Sequence, residues 1–266
     1  MTLYDAHNHL QDDRLKPHLP DIMAAVQAAP ISRMVVNGAC EDDWPAVLQL
    51  ARQFPCVLPS FGYHPWYVKD RTPAWQSALV NCLDQVPSAI GEIGLDRWIK
   101  DHDTAQQEEV FLWQLRLAAE RNLPVSIHCI QAWGRLLDIL QHQPLPRCGF
   151  LLHSYGGPPE MIPALARLGA FFSLPGYFAH ERKSRQRETF RHVPPDRLLI
   201  ETDAPDQPLP PARVRFPLLD STGKPVNHPA NLGAVYEFAA ELLGEPLDKL
   251  AARVESNFLR LFGAVA

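Results

Sequence analysis

Six residues of metal-ligand type fall at the ends of short apolar runs scattered along the 266-residue chain: His7, His9, Glu92, His128, His153 and Asp203. In Asp5-Ala6-His7-Asn8-His9 the two histidines are two positions apart. On a strand, such residues point to one face. Neutral imidazole nitrogen is a good ligand for divalent metals, so two rings on one face can share an ion. Asp5 lies on the same face and could orient a ligand from behind. An isolated His-x-His carries little weight, because most bind nothing. The weight comes from the later strings. Gly91-Glu92-Ile93-Gly94 sets a carboxylate among apolar residues, where an unpaired charge is costly and needs a cation or hydrogen-bond donors. Val125-Ser126-Ile127 runs into His128, Phe150-Leu151-Leu152 into His153, and Ile200-Glu201-Thr202 into Asp203.

Four histidines and two carboxylates exceed one tetrahedral shell. They suit two ions sharing Glu92, the arrangement that clamps the attacking and leaving oxygens of a displacement. Mixed nitrogen and oxygen ligands fit Mg2+, Mn2+ or Zn2+. Ions held there lower the pKa of water towards neutrality, and Asp203, between metal and solvent, could accept its proton. The chemistry is metal-assisted hydrolysis, with Asp203 and Glu92 as the candidate catalytic carboxylates.

Six ligands at five strand ends can meet only if a fold gathers those ends. The candidate strands are Leu3–His7, Met34–Gly38, Val57–Gly62, Ala89–Gly94, Val125–His128, Phe150–His153, Ala170–Leu174 and Leu198–Thr202. Their β-branched, aromatic and Leu content suits strands buried on both faces. Between them lie amphipathic stretches, clearest in Thr104–Asn122, where Val110, Phe111, Leu115 and Ala118 keep helical spacing. Thr104 can cap this helix, and Pro124 bars its continuation. Trp133–Gln141, Glu160–Leu168, Leu232–Leu243 and Leu247–Leu261 read as helices too. Alternating strands and helices predict a parallel sheet, and eight strands predict its closure into a single-domain α/β (β/α)8 TIM barrel over residues 1–266. An open doubly wound sheet is the alternative. Much of the proline gathers between Pro205 and Pro229, a long loop after the last strand and hence expected at the barrel mouth.

Composition narrows the partners. A formal net charge of −5 advertises no nucleic-acid coat, so a polyanionic substrate would have to be drawn by metal ions and a local basic patch. Five cysteines, odd in number and without a C-x-x-C pair, read as reduced thiols of a cytoplasmic protein. The first residues show no basic segment followed by an apolar run, and no stretch approaches the roughly 18 apolar residues of a membrane span. No obligate protein partner is evident.

The strings Asp5-Ala-His-Asn-His9, Gly62-Tyr-His-Pro65, Gly91-Glu-Ile-Gly-Leu-Asp96, Leu123-Pro-Val-Ser-Ile-His128, Leu152-His-Ser-Tyr-Gly-Gly157 and Glu201-Thr-Asp-Ala-Pro205 follow one another across nearly the whole chain. In this order the chain resembles the TatD family of metal-dependent deoxyribonucleases, within the amidohydrolase-like superfamily. Gln107, Phe111 and Gln114, Asn231-Leu232 and Asn257-Phe258-Leu259 add to the match. The resemblance implies two metal positions, one held by His7, His9 and Asp203 and the other by His128 and His153, with Glu92 bridging. It places His64 near the substrate, which would be DNA.

Departures fall in the loops. Ile130 and Gln131 follow Cys129 where the family commonly has an Arg. Leu174-Pro-Gly-Tyr-Phe-Ala-His180 replaces a Thr-Phe-Lys-like string, and Asp206-Gln-Pro replaces an aromatic and Leu-Ala-Pro string. Candidate phosphate contacts are His64, Lys183, Arg185 and Arg213, and Trp66 and Tyr67 could stack a base. The leading expectation is phosphodiester hydrolysis of DNA, with attack from a strand end among the options. The changed loops motivate an alternative, an amide, ester or lactone hydrolase on the same metals. A scaffold whose metal serves stability or partner binding is the third reading.

Overall fold

A computed structural model of the chain describes residues 1–101 and 103–266. Eight parallel strands hydrogen-bond to one another in chain order: β1 (Leu3–Asn8), β2 (Ile31–Asn37), β3 (Val57–Phe61), β4 (Ala89–Asp96), β5 (Val125–Ile130), β6 (Phe150–Leu152), β7 (Ala170–Pro175) and β8 (Leu198–Glu201). All but a few of their residues are buried, as strands covered on both faces must be. The helices are α1 (Leu19–Ala28), α2 (Trp44–Gln53), α3 (Trp75–Leu83), α4 (Thr104–Arg121), α5 (Trp133–His142), α6 (Ile162–Arg167), α7 (Ser184–Phe190), α8 (Leu232–Leu243) and α9 (Leu247–Phe262). This is the (β/α)8 barrel that the strand–helix alternation predicts. Among the described residues, no helix is long and apolar enough to cross a membrane.

The barrel closes where its chemistry lies. Across the seam between first and last strands, Asp203 N donates to His7 O at 2.9 Å and His9 N donates to Ala204 O at 2.7 Å. Asp5 adds side-chain bonds to the seam, accepting from Thr202 N at 2.9 Å and from Thr202 Oγ1. The segments that carry three of the candidate ligands are thus the ones that stitch the sheet shut.

Helices lock the strand ends from outside. In α4 the buried amides of Gln107 and Gln114 act on backbone. Gln107 Oε1 accepts from Asp96 N and its Nε2 donates to Asp96 O, both at 2.9 Å, while Gln114 Oε1 accepts from Tyr63 N at 2.7 Å. In α9, Leu250, Val254, Phe258 and Leu261 are buried along one stripe, each such side chain contributing about 1.5–3 kcal/mol. Asn257 donates to Leu198 O at 2.8 Å, fixing the start of β8.

Several local expectations need correction. Asp103, not Thr104, caps α4, its carboxylate accepting from Gln106 N at 3.0 Å. Asp competes well for this role, and Thr104 becomes the first helical residue. The stretch Glu160–Leu168 is not one helix, because a 3-10 turn at Pro159–Met161 precedes α6. Helices α1, α2, α3 and α7 are absent from the sequence expectation. Two of them, α1 and α2, carry proline in the first turn, which reads as a breaker but is well tolerated there. The Pro205–Pro229 segment is not structureless. It holds a 3-10 turn at Pro211–Arg213 and a small hairpin, β9 (Leu218–Leu219) with β10 (Pro225–Val226).

Candidate metal centre

Glu92 is the pivot of the cluster. It stands midway along β4, 2% exposed, and its two carboxylate oxygens face different sets of donors. Oε2 lies 3.1 Å from His9 Nε2 and 3.3 Å from His7 Nε2. Asp203 Oδ1 joins that set, 3.6 Å from His7 Nε2 and 3.7 Å from His9 Nε2. Oε1 lies 2.9 Å from both His128 Nδ1 and His153 Nε2. All six sequence-predicted ligands therefore meet at the C-terminal rim of the barrel.

Ring orientation follows from what each imidazole touches behind it. His9 Nδ1 sits 2.8 Å from Asn37 O, which can only accept, so Nδ1 keeps a proton and Nε2 is the nitrogen that faces Glu92. His128 is reversed. Its Nε2 donates to Asp96 Oδ2 at 2.9 Å, leaving Nδ1 for the cluster. His7 Nδ1 lies 2.8 Å from Ser126 Oγ. His153 Nδ1 points towards Glu201 Oε1 at 3.8 Å, and Glu201 itself accepts from Ser154 Oγ and Ser173 Oγ. His64 differs from the other four. Trp66 N donates to its Nδ1 at 3.2 Å, so the neutral ring presents an N–H, not a lone pair, to Glu92 Oε1 at 3.3 Å.

The donor set fits a bound divalent cation. Ligands at about 2.1 Å from an ion sit about 3.4 Å apart along a tetrahedral edge. Here the His7–His9 and His128–His153 nitrogen separations are both 3.3 Å. Glu92 Oε1 is buried among three imidazole nitrogens, His128 Nδ1, His153 Nε2 and His64 Nε2, out of reach of bulk water, the state in which a carboxylate oxygen most demands positive charge. The titration of the groups agrees. Burial would raise Glu92, but His153, His64 and His7 outweigh it and hold the carboxyl well below its ordinary range. Burial opposes a charged His9, yet Glu92 and Asp203 push it up to about 9. Protons gather where a cation would sit, so loading the site with an ion releases them.

Above the cluster opens a cavity of about 1250 Å³, lined by His9, Glu92, His128, His153 and Asp203 from below. Gln131, Ser154, Asp203 and Gln207 on its wall all have positive φ, between 46° and 56°, backbone strain of the kind that functional sites retain. His64, Trp66, Tyr67 and Lys183 line the cavity as well. Arg185 and Arg213 are not among its lining residues. Arg213 pairs instead with Glu241 at 2.6 Å.

A family model described as TatD related DNase matches residues 4–263. The chain belongs to the TatD related DNase family. Among its relatives in that family, the 3'-5' ssDNA/RNA exonuclease TatD of Salmonella typhimurium is 32% identical over 269 residues, spanning 99% of this chain and 100% of the relative. The uncharacterized metal-dependent hydrolase YabD of Bacillus subtilis is 29% identical over 264 residues, with 98% of each chain covered. The crystal structure of YjjV, a TatD homolog from Escherichia coli K12, superposes with a TM-score of 0.86 at 28% identity, covering 98% of both chains.

Within this TatD-family rim, sequence reasoning missed the groups that aim the ligands. Asp96 is four residues after Glu92 on β4, hence on the same strand face, and that spacing was the available signal. Its Oδ2 accepts from both His128 Nε2 and Trp66 Nε1, the latter at 2.7 Å, while Oδ1 accepts from Trp98 N at 2.7 Å. Burial would raise this carboxyl, but His128 and Trp66 hold it at about 2. Asp5, expected behind a histidine ring, touches none. It accepts from His7 N, Asn8 Nδ2 and Thr202, so it sets strand position. An Asp96→Asn variant keeps one acceptor oxygen where two are used. Its divalent-metal affinity should fall roughly 10–100-fold in a competing-chelator titration, and unchanged affinity would remove Asp96 from the account.

Proposed function

We propose that this chain is a metal-dependent nuclease that hydrolyses phosphodiester bonds of single-stranded DNA or RNA from a strand end. Two divalent ions would be held at the rim, one by His7, His9 and Asp203 and one by His128 and His153, with Glu92 shared. The observation that carries this reading is the split of the Glu92 carboxylate, each oxygen facing a separate donor set on the floor of an open cavity. Bound there, Mg2+, Mn2+ or Zn2+ supplies Lewis acidity to a phosphoryl oxygen and to water.

The chain's own residues supply the rest. Gln207 Nε2 donates to Asp203 Oδ2 at 2.6 Å, fixing the carboxylate so that Oδ1 turns to the cluster, where it can accept a proton. The His64 N–H, buried beside Glu92 Oε1, is placed to donate to a phosphate oxygen entering the cavity. Lys183 adds a cation to the cavity lining.

The family and its named exonucleases favour nucleic acid over an amide, ester or lactone. Five free thiols fit a reducing compartment, in keeping with a cytoplasmic enzyme. A substrate panel tests the reading. Metal-loaded protein should shorten labelled single-stranded DNA and RNA. Turnover confined to uncharged esters or lactones would replace it with the small-molecule alternative.

A further inference from the structure

Three aromatic side chains are exposed among the described residues, namely Trp66, Tyr67 and Trp98, and all three line the same cavity. Exposing a large aromatic ring is unfavourable unless something covers it. One carboxylate positions the Trp66 ring and the Trp98 backbone relative to the candidate metal centre. Asp96 Oδ2 takes Trp66 Nε1 and His128 Nε2 together, and Oδ1 takes Trp98 N. The Trp66 ring lies 5.1 Å from the His64 ring and 6.3 Å from the His128 ring, centroid to centroid. A flat apolar group resting on Trp66 would therefore be held beside the reacting position.

The charge on the walls points the same way. Beyond the metal cluster, Asp12, Asp13, Asp42, Asp43 and Asp206 line the cavity against only Arg14, Lys16 and Lys183. Arg14 is committed to Asp12 at 2.8 Å and Asp206 at 2.7 Å, and Lys16 has Asp13 at 3.8 Å. Lys183, 4.8 Å above the Tyr177 ring, is the lining cation without a carboxylate partner among the described residues. A nucleic-acid backbone thus finds no cationic track here, only the cluster itself and one lysine.

We propose that substrate is gripped by its bases and not by its backbone: Trp98 and Trp66 stack the terminal nucleobases of a short or frayed single strand, with one or two phosphates engaged. The inference rests on the nuclease reading and names its substrate class, short single-stranded oligonucleotides. Duplex ends are poor ligands because their bases are already stacked and paired. Long strands gain nothing over short ones, because the additional phosphates meet acidic walls.

The test compares a tetranucleotide, a 20-mer, and a tetranucleotide whose terminal residues are abasic, all cleaved by metal-loaded protein. Stacking should favour the base-bearing over the abasic tetranucleotide roughly tenfold in kcat/KM. Trp98→Ala should erase most of that ratio, and Trp98→Phe should restore it. Trp98 is exposed, so folding is not at stake. Between 50 and 200 mM salt, kcat/KM should fall less than about tenfold, against roughly 300-fold or more for a six-phosphate grip on a single strand. Equal cleavage of base-bearing and abasic strands, or a steep salt dependence with the 20-mer preferred, overturns base-gripping and leaves the nuclease standing. Cleavage of none of the three overturns both.

Discussion

Glu92→Gln should abolish metal-stimulated cleavage in folded, purified protein. The substitution keeps the shape but removes the negative charge that faces both donor sets. It also puts an NH2 group where one set needs an acceptor, so an ion there would meet a donor instead of a ligand. Changes behind the ligands cost about 10–100-fold, and loss of the shared ligand should cost more, on the order of 10³-fold in kcat/KM. The metal-free protein should remain folded, because His9 and His153 are raised chiefly through Glu92 and can give up their protons when its charge is gone. Circular dichroism checks folding, and steady-state cleavage with saturating metal checks the loss. Full activity would remove the bridge from the mechanism.

Asp203→Asn should lower kcat by about 10²–10⁴-fold, the range for a proton-transfer group, with the ion on the His128 side retained. The pH profile separates proton acceptance from simple ligation. Burial pushes the Asp203 carboxyl up to about 7, against the pull of His153 and His9. A proton acceptor must be ionised, so raising its pKa makes activity fall as pH drops through that value. A cation alongside shifts the fall to lower pH. Wild-type kcat should therefore decline on the acid side of about pH 7, and the residual activity of Asp203→Asn should lack that limb. An acid limb unchanged in the variant would assign it to another group.

The metal ligands were legible because barrel geometry converts strand-end position into spatial proximity. His128 and His153, 25 residues apart in sequence, end with their nitrogens 3.3 Å apart, a result that the parallel topology alone requires. The strand set was legible for the same reason, since buried parallel strands write continuous apolar runs. The helices α1 and α2 were not, because proline at a helix start and proline as a breaker look alike in sequence. What aims the ligands was also hidden. Ser126, Asn37 and Glu201 touch ligand rings from behind, and nothing in an isolated Ser, Asn or Glu marks that use. The stretch Glu181–Arg187 after β7, which is rich in Arg and Lys, shows the opposite error. Charge density singled out Arg185, yet Lys183 is the one cation of that stretch that lines the cavity, alongside Tyr177, Phe178 and Gln186. Arg213 likewise looked free in sequence and is spoken for by Glu241.

One carboxylate, flanked by four histidines and Asp203, makes a rim that must hold divalent ions to cut phosphodiester bonds. Metal-stripped protein given end-labelled single-stranded DNA tests it most directly, with Mg2+, Mn2+ or Zn2+ returned one at a time. The strand should stay intact without metal and shorten once at least one of the three ions is restored. Equal cleavage by the stripped protein, chelator present throughout, would contradict the account.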